Sequence, residues 1–94
     1  MIAVYALANV KADKTAEFEQ LIQPLITASR HDQGCISYVC GKVQGRENQY
    51  AFIEQWQTAT DLELHMQQPH FTQAAQQFEA LLSQPLNISL IELD

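Results

Sequence analysis

Two histidines, two glutamates and the single tryptophan of this chain fall inside residues 50–71, YAFIEQWQTATDLELHMQQPHF. Their types fit proton transfer next to an aromatic ligand. Histidine titrates near neutral pH, so His65, at the end of a short helical segment, is the first candidate for an acid/base residue. Glu54 shares a strand face with Phe52 and Trp56. A carboxylate in such apolar company needs a partner, either a backbone donor or His65. A Glu54–His65 pair would hold the imidazole in one tautomer. Phe52 and Trp56 offer flat walls for a ring, and the indole N–H wants an acceptor when buried. His70 follows Pro69 in the first turn of a helix, where the helix dipole opposes protonation. Each residue also has a plainer reading: His65 as a packed interfacial ring, Glu54 as a surface carboxylate, Phe52 and Trp56 as core, His70 as a structural cap. Tyr5, Tyr38 and Tyr50 could each bring a phenol to a pocket, and the sequence does not rank them.

These residues must be positioned by the elements around them. Residues 2–10 are apolar at nearly every position, as in a strand inside a sheet. Residues 14–31 carry Phe18, Leu21, Ile22, Leu25, Ile26 and Ser29 at helical spacing, with Asp13 or Thr15 as cap. Pro24 interrupts that pattern, which predicts one helix kinked near Gln20. Asp32-Gln33-Gly34 forms a turn, with Gly34 suited to a helix C-cap. Residues 35–44 and 49–57 are predicted strands joined by a Gly45–Asn48 hairpin loop. In the second of them Tyr50, Phe52, Glu54 and Trp56 lie on one face. Thr60-Asp-Leu-Glu63 reads as a capping box for a helix reaching about Met66. Pro69 starts another, to about Leu82. Leu86, Ile88 and Leu90 alternate in a last strand over 86–93. The resulting β-α-β-β-α-β order predicts an α+β, ferredoxin-like domain spanning 1–94. Both helices pack on one face of a four-stranded antiparallel sheet. The other face needs a cover, and a second copy's sheet is the simplest one.

Bulk properties narrow the function classes. The chain has 94 residues and a net charge of −6, with five basic residues that form no cluster. Nucleic acid and anionic membrane surfaces are therefore not expected partners. No apolar run reaches the length of a membrane span. The first residues show no basic flank or cleavage site, so the cytoplasm is the expected setting. Cys35 and Cys40 sit in one predicted strand, roughly 16 Å apart and on opposite faces. That spacing excludes an intrachain disulfide and fits no zinc motif, so buried thiols and no metal site are expected.

Glu54-Gln55-Trp56, followed by Leu62, His65 and Pro69-His70-Phe71, resembles the antibiotic biosynthesis monooxygenase (ABM) family, most closely its small quinol-monooxygenase branch. The likeness extends over nearly the whole chain, including Gly34-Cys35 before the second strand. It implies a dimeric α/β barrel, in which two sheets face each other, and therefore a homodimer. It also implies oxidation of a quinol or similar electron-rich aromatic with dioxygen, without metal, flavin or haem cofactor. No GxGxxG fingerprint is present. The resemblance adds Asn9, late in the first strand, as a polar pocket residue, although Asn9 shares its face with Ala3, Tyr5 and Leu7. Three other readings stay open. A relative of this domain enolises a small phosphorylated dione, but phosphate calls for basic residues that are scarce here. Haem-degrading relatives use a helical histidine as iron ligand where this chain has Ala75. A non-catalytic module that binds a small molecule is the third.

Overall fold

The computed structural model describes residues 1–94. Its elements are β1 (Ile2–Asn9), α1 (Thr15–Ser29), β2 (Cys35–Lys42), β3 (Gln49–Trp56), α2 (Ala59–Met66), α3 (Pro69–Leu81) and β4 (Asn87–Glu92). The strands form one antiparallel sheet in the order β2-β3-β1-β4. This is the expected ferredoxin-like plan. The doubly apolar β1 takes an inner position, where both its edges are paired. The sheet is open, with β2 and β4 as its edges.

Period-two alternation divides the sheet into two faces. Ile2, Val4, Ala6 and Ala8 of β1 join Tyr50, Phe52, Glu54 and Trp56 of β3 and Tyr38 of β2 on the buried face. Phe18, Ile22, Leu25 and Ile26 of α1 and Ala74, Phe78 and Leu81 of α3 close over it. Phe18 is the hub of this layer, with ring centroids 4.9 Å from Tyr50 and 5.8 Å from Phe78. On the opposite face Val39, Ile53 and Tyr5 lie side by side across three strands and remain exposed. Ile88 and Leu90 of β4 point to the helix side but stay exposed as well, at 46% and 55%.

Local chemistry departs from expectation at four points. First, α1 starts after Lys14 with no side-chain cap, so neither Asp13 nor Thr15 caps it. The helix runs as one element through Pro24. Second, α1 ends at Ser29, and Gly34 is not its C-cap. Gly34 adopts φ 78° just before β2, with Asp61 packed so close that a Cβ would fall 2.1 Å from its Oδ2. Third, α2 is capped by Thr58, whose Oγ1 accepts the Asp61 N–H at 3.1 Å, and not by Thr60. Both T-x-x-acid spacings satisfy the pattern. Thr58 wins because its extended backbone follows directly on the end of β3. Fourth, Cys35 and Cys40 share a face. The register shifts between Cys35 and Ser37, so Cys35 pairs with Trp56, Tyr38 with Glu54 and Cys40 with Phe52. One bulged residue reverses the alternation and sends both thiols to the core side. Both cysteines are free.

Candidate active site

Three chain segments meet at one end of the sheet. Because β2 runs antiparallel to β3, the start of β2 lies beside the end of β3. The Gln57 N–H donates to the Gly34 carbonyl at 2.9 Å. The 32–34 turn therefore sits next to Glu54 and Trp56, and α2 follows immediately in sequence. Gln33 Nε2 donates to Asp61 Oδ1 at 3.2 Å, which ties this turn to the first turn of α2.

Glu54 is buried, and its Oε1 accepts the Trp56 indole N–H at 3.0 Å. Burial raises its pKa to about 7, against the opposing pull of the indole hydrogen bond. The carboxyl is thus poised to hold or release a proton near neutral pH. Trp56 itself is fully buried.

His65 lies with Leu62 on the inward stripe of α2. Its ring packs 4.7 Å from Trp56, 5.2 Å from Phe71 and 5.4 Å from Tyr38, centroid to centroid. Its Nδ1 is 2.7 Å from Asp32 Oδ2. His70 Nε2, from the first turn of α3, is 2.7 Å from the same oxygen. A carboxylate only accepts, so both imidazole nitrogens donate. The His65 proton is thereby held on Nδ1, leaving the Nε2 lone pair free on the opposite side of the ring. Burial lowers the His65 pKa, opposed by its hydrogen bond and attraction to Asp32. The result is a neutral, fixed imidazole with an available acceptor.

A cavity opens between the sheet and the helices beside these groups. Its wall is apolar, from Val4, Ala6, Phe52, Leu62, Phe71 and Phe78 among others, and its ionisable groups are Glu54, His65 and Tyr38. Tyr38 is therefore the tyrosine that reaches the cavity; desolvation raises its phenol pKa. Tyr5 lies on the open sheet face, and Tyr50 hydrogen-bonds Glu19 elsewhere.

The structure brings Glu54, His65 and Phe52 to the cavity. Trp56 stands behind them as a support, and His70 lies outside the lining as a partner of Asp32. Asn9 is displaced from the site altogether. It projects from the face opposite to Glu54, and its Oδ1 accepts from Gln49 Nε2 at 3.0 Å at the far end of the sheet. Strand alternation excludes it from the cavity. The expected Glu54–His65 pair is replaced by two separate ones, Glu54–Trp56 and His65–Asp32. Asp32 is the residue that sequence reasoning missed, since its turn reads as a connection only. The signal was topological: a turn preceding β2 must lie beside the end of an antiparallel β3.

Sheet, helices and cavity together make a ferredoxin-like α+β domain with a carboxylate-oriented histidine at one end of its sheet. The chain belongs to the antibiotic biosynthesis monooxygenase family, whose profile matches residues 1–77. It is 31% identical to "Putative monooxygenase YcnE" of Bacillus subtilis, over 99% of this chain and 98% of that one. It is 34% identical to the uncharacterized protein sll1783 of Synechocystis over 98% of its own length, and spans 63% of that relative. A conserved protein from Methanosarcina mazei superposes with a TM-score of 0.95 at 25% identity, covering 99% of this chain and 92% of that one. Rv0793 from Mycobacterium tuberculosis shares the fold, with a TM-score of 0.92 at 24% identity over 99% of this chain and 95% of that one.

Proposed function

We propose that this chain is a cofactor-independent monooxygenase that oxidises a quinol or similar electron-rich aromatic with dioxygen. The observation that carries this reading is the His65 imidazole, kept neutral by burial and oriented by Asp32, against an apolar cavity that also contains Glu54. The aromatic and aliphatic wall suits a flat ring, which must widen the cavity beyond its present volume of about 30 Å³. His65 Nε2 takes the phenolic proton, and Asp32 stabilises the imidazolium that forms. The electron-rich anion passes an electron to dioxygen, and the two radicals combine at a ring carbon. Glu54, close to half-protonated at neutral pH, supplies a proton to the resulting peroxide. The O–O bond then breaks. One oxygen stays on the ring carbon and the other leaves as water with the two hydroxyl hydrogens of the quinol. One dioxygen thus converts one quinol to one hydroxyquinone and one water. Water exclusion by the apolar wall protects the anion and the peroxide from side reactions.

The wall contains no lysine or arginine, which disfavours a phosphorylated dione as substrate. Ala75, on the outer side of α3, offers haem iron no ligand. The open sheet face with Val39, Ile53 and Tyr5 supports pairing of two copies through their sheets, the dimeric barrel that the family resemblance implies.

The test is oxygen uptake by untagged protein with a series of hydroquinones, in the presence of a chelator and with no added cofactor. The expected result is one dioxygen consumed per quinol, with one labelled oxygen in the product under heavy-isotope dioxygen. No uptake above the uncatalysed rate across the series would overturn the reading and leave a binding module.

A further inference from the structure

We propose that Asp32, His65 and His70 form a binding site for a divalent transition-metal ion of the zinc class, lying behind the cavity wall, and that the bound ion switches off His65 as a base. The second half rests on the role proposed above for His65; the first half does not.

The three residues come from three elements: the turn before β2, the inward face of α2 and the first turn of α3. Their ligand atoms all lie within 4.8 Å of one another. Two imidazole nitrogens and a carboxylate oxygen are a donor set suited to Zn²⁺, and three protein ligands leave one position for water. The two nitrogens each stand 2.7 Å from Asp32 Oδ2. A tetrahedral ion with bonds of about 2.0–2.2 Å needs ligand atoms roughly 3.4 Å apart. To admit it, each nitrogen would draw back from the carboxylate oxygen by well under 1 Å, while the two nitrogens, within 4.8 Å of each other, would close toward the same spacing. Access exists on the α3 side, where the His70 side chain is 23% exposed and that of Asp32 14%, while His65 at 1% forms the floor. A chain of net charge −6 also favours a cation.

The consequence follows from tautomers. In the hydrogen-bonded triad His65 carries its proton on Nδ1 and His70 on Nε2. A metal ion needs the lone pair on those same nitrogens. Each ring must therefore move its proton to the other nitrogen, with no net proton released. His65 Nε2 then becomes a donor toward the cavity and can no longer accept a substrate proton. The ion would act as an inhibitor of the proposed reaction and not as its cofactor.

Calorimetric titration of untagged, chelator-stripped protein with Zn²⁺ tests the site. The expected result is one ion per chain, with affinity reduced about tenfold or more in His70→Gln and in Asp32→Asn. His31→Gln, at an exposed histidine beside the cluster, should leave binding unchanged. Nitrogen NMR should show the His65 proton moving from Nδ1 to Nε2 on adding Zn²⁺. Absence of stoichiometric binding, or equal binding by all four proteins, would overturn the site. Binding without the tautomer change would overturn the switch. Quinol oxidation in chelator is scored separately, so failure of that reaction leaves the calorimetric result standing.

Discussion

At the residue scale, the site depends on two buried ionisable groups with opposite displacements. Glu54 is raised from 4.5 to about 7 because its charged form is desolvated, and His65 is lowered mainly because its cationic form is. For Glu54 the folded state keeps a proton that the unfolded state loses. Stability should therefore fall as pH rises from 4.5 to about 7, by roughly 3 kcal/mol in all, and then level off. Glu54→Gln removes this dependence, so urea unfolding of the two proteins should diverge across that window and run parallel above it. Equal slopes throughout would show that Glu54 is not shifted. His65 acts with the other sign: its share of stability is present above pH 6.5 and declines as the unfolded state takes up a proton below it. The acid/base candidates Glu54 and His65 were legible from residue type and from their strand and helix faces. Their partners were not, because Trp56 and Asp32 compete for them through distances that sequence spacing does not express.

At the element scale, the 32–34 turn decides whether Asp32 reaches the histidines. Gly34 holds it in two ways, by φ 78° and by leaving space for Asp61, which in turn accepts from Gln33. Gly34→Ala should lower stability by about 2 kcal/mol or more, since a left-handed residue with a Cβ costs about 1–2 kcal/mol before Asp61 is displaced. Chemical denaturation measures this; a change under about 0.5 kcal/mol would contradict the close packing. The element order could be read from periodicity, since β1, the α1 stripe and the Pro69 start all carry strong local signals. The bulge after Cys35 could not. Alternation assigns faces by counting, and one extra residue reverses the count without any mark in the sequence. The cap of α2 was ambiguous for a similar reason, since Thr58 and Thr60 both precede an acidic residue at the right spacing.

At the scale of the whole molecule, the helices cover one face of the sheet and leave the other with an apolar row. No helix is long and apolar enough to cross a membrane. In the proposed dimer that row becomes the interface. Light scattering after size exclusion should give a dimer mass for the native chain, and Ile53→Lys should shift it toward monomer. A monomeric native chain at micromolar concentration would contradict sheet-to-sheet pairing. The open sheet face was legible from an element order that puts the helices on one side of the sheet. The convergence of Asp32, His65 and His70 was not, as it joins residues 33 and 38 positions apart through the turn of a sheet.

In the proposed reaction His65, oriented by Asp32, is the base that takes the phenolic proton of the quinol. Single-turnover oxidation of a quinol accepted by the native protein, compared in chelator with His65→Gln and Asp32→Asn, tests it most directly. A fall of about 10²-fold or more for His65→Gln, with a smaller fall for Asp32→Asn, is the predicted result. A native rate in His65→Gln protein that remains folded would contradict it.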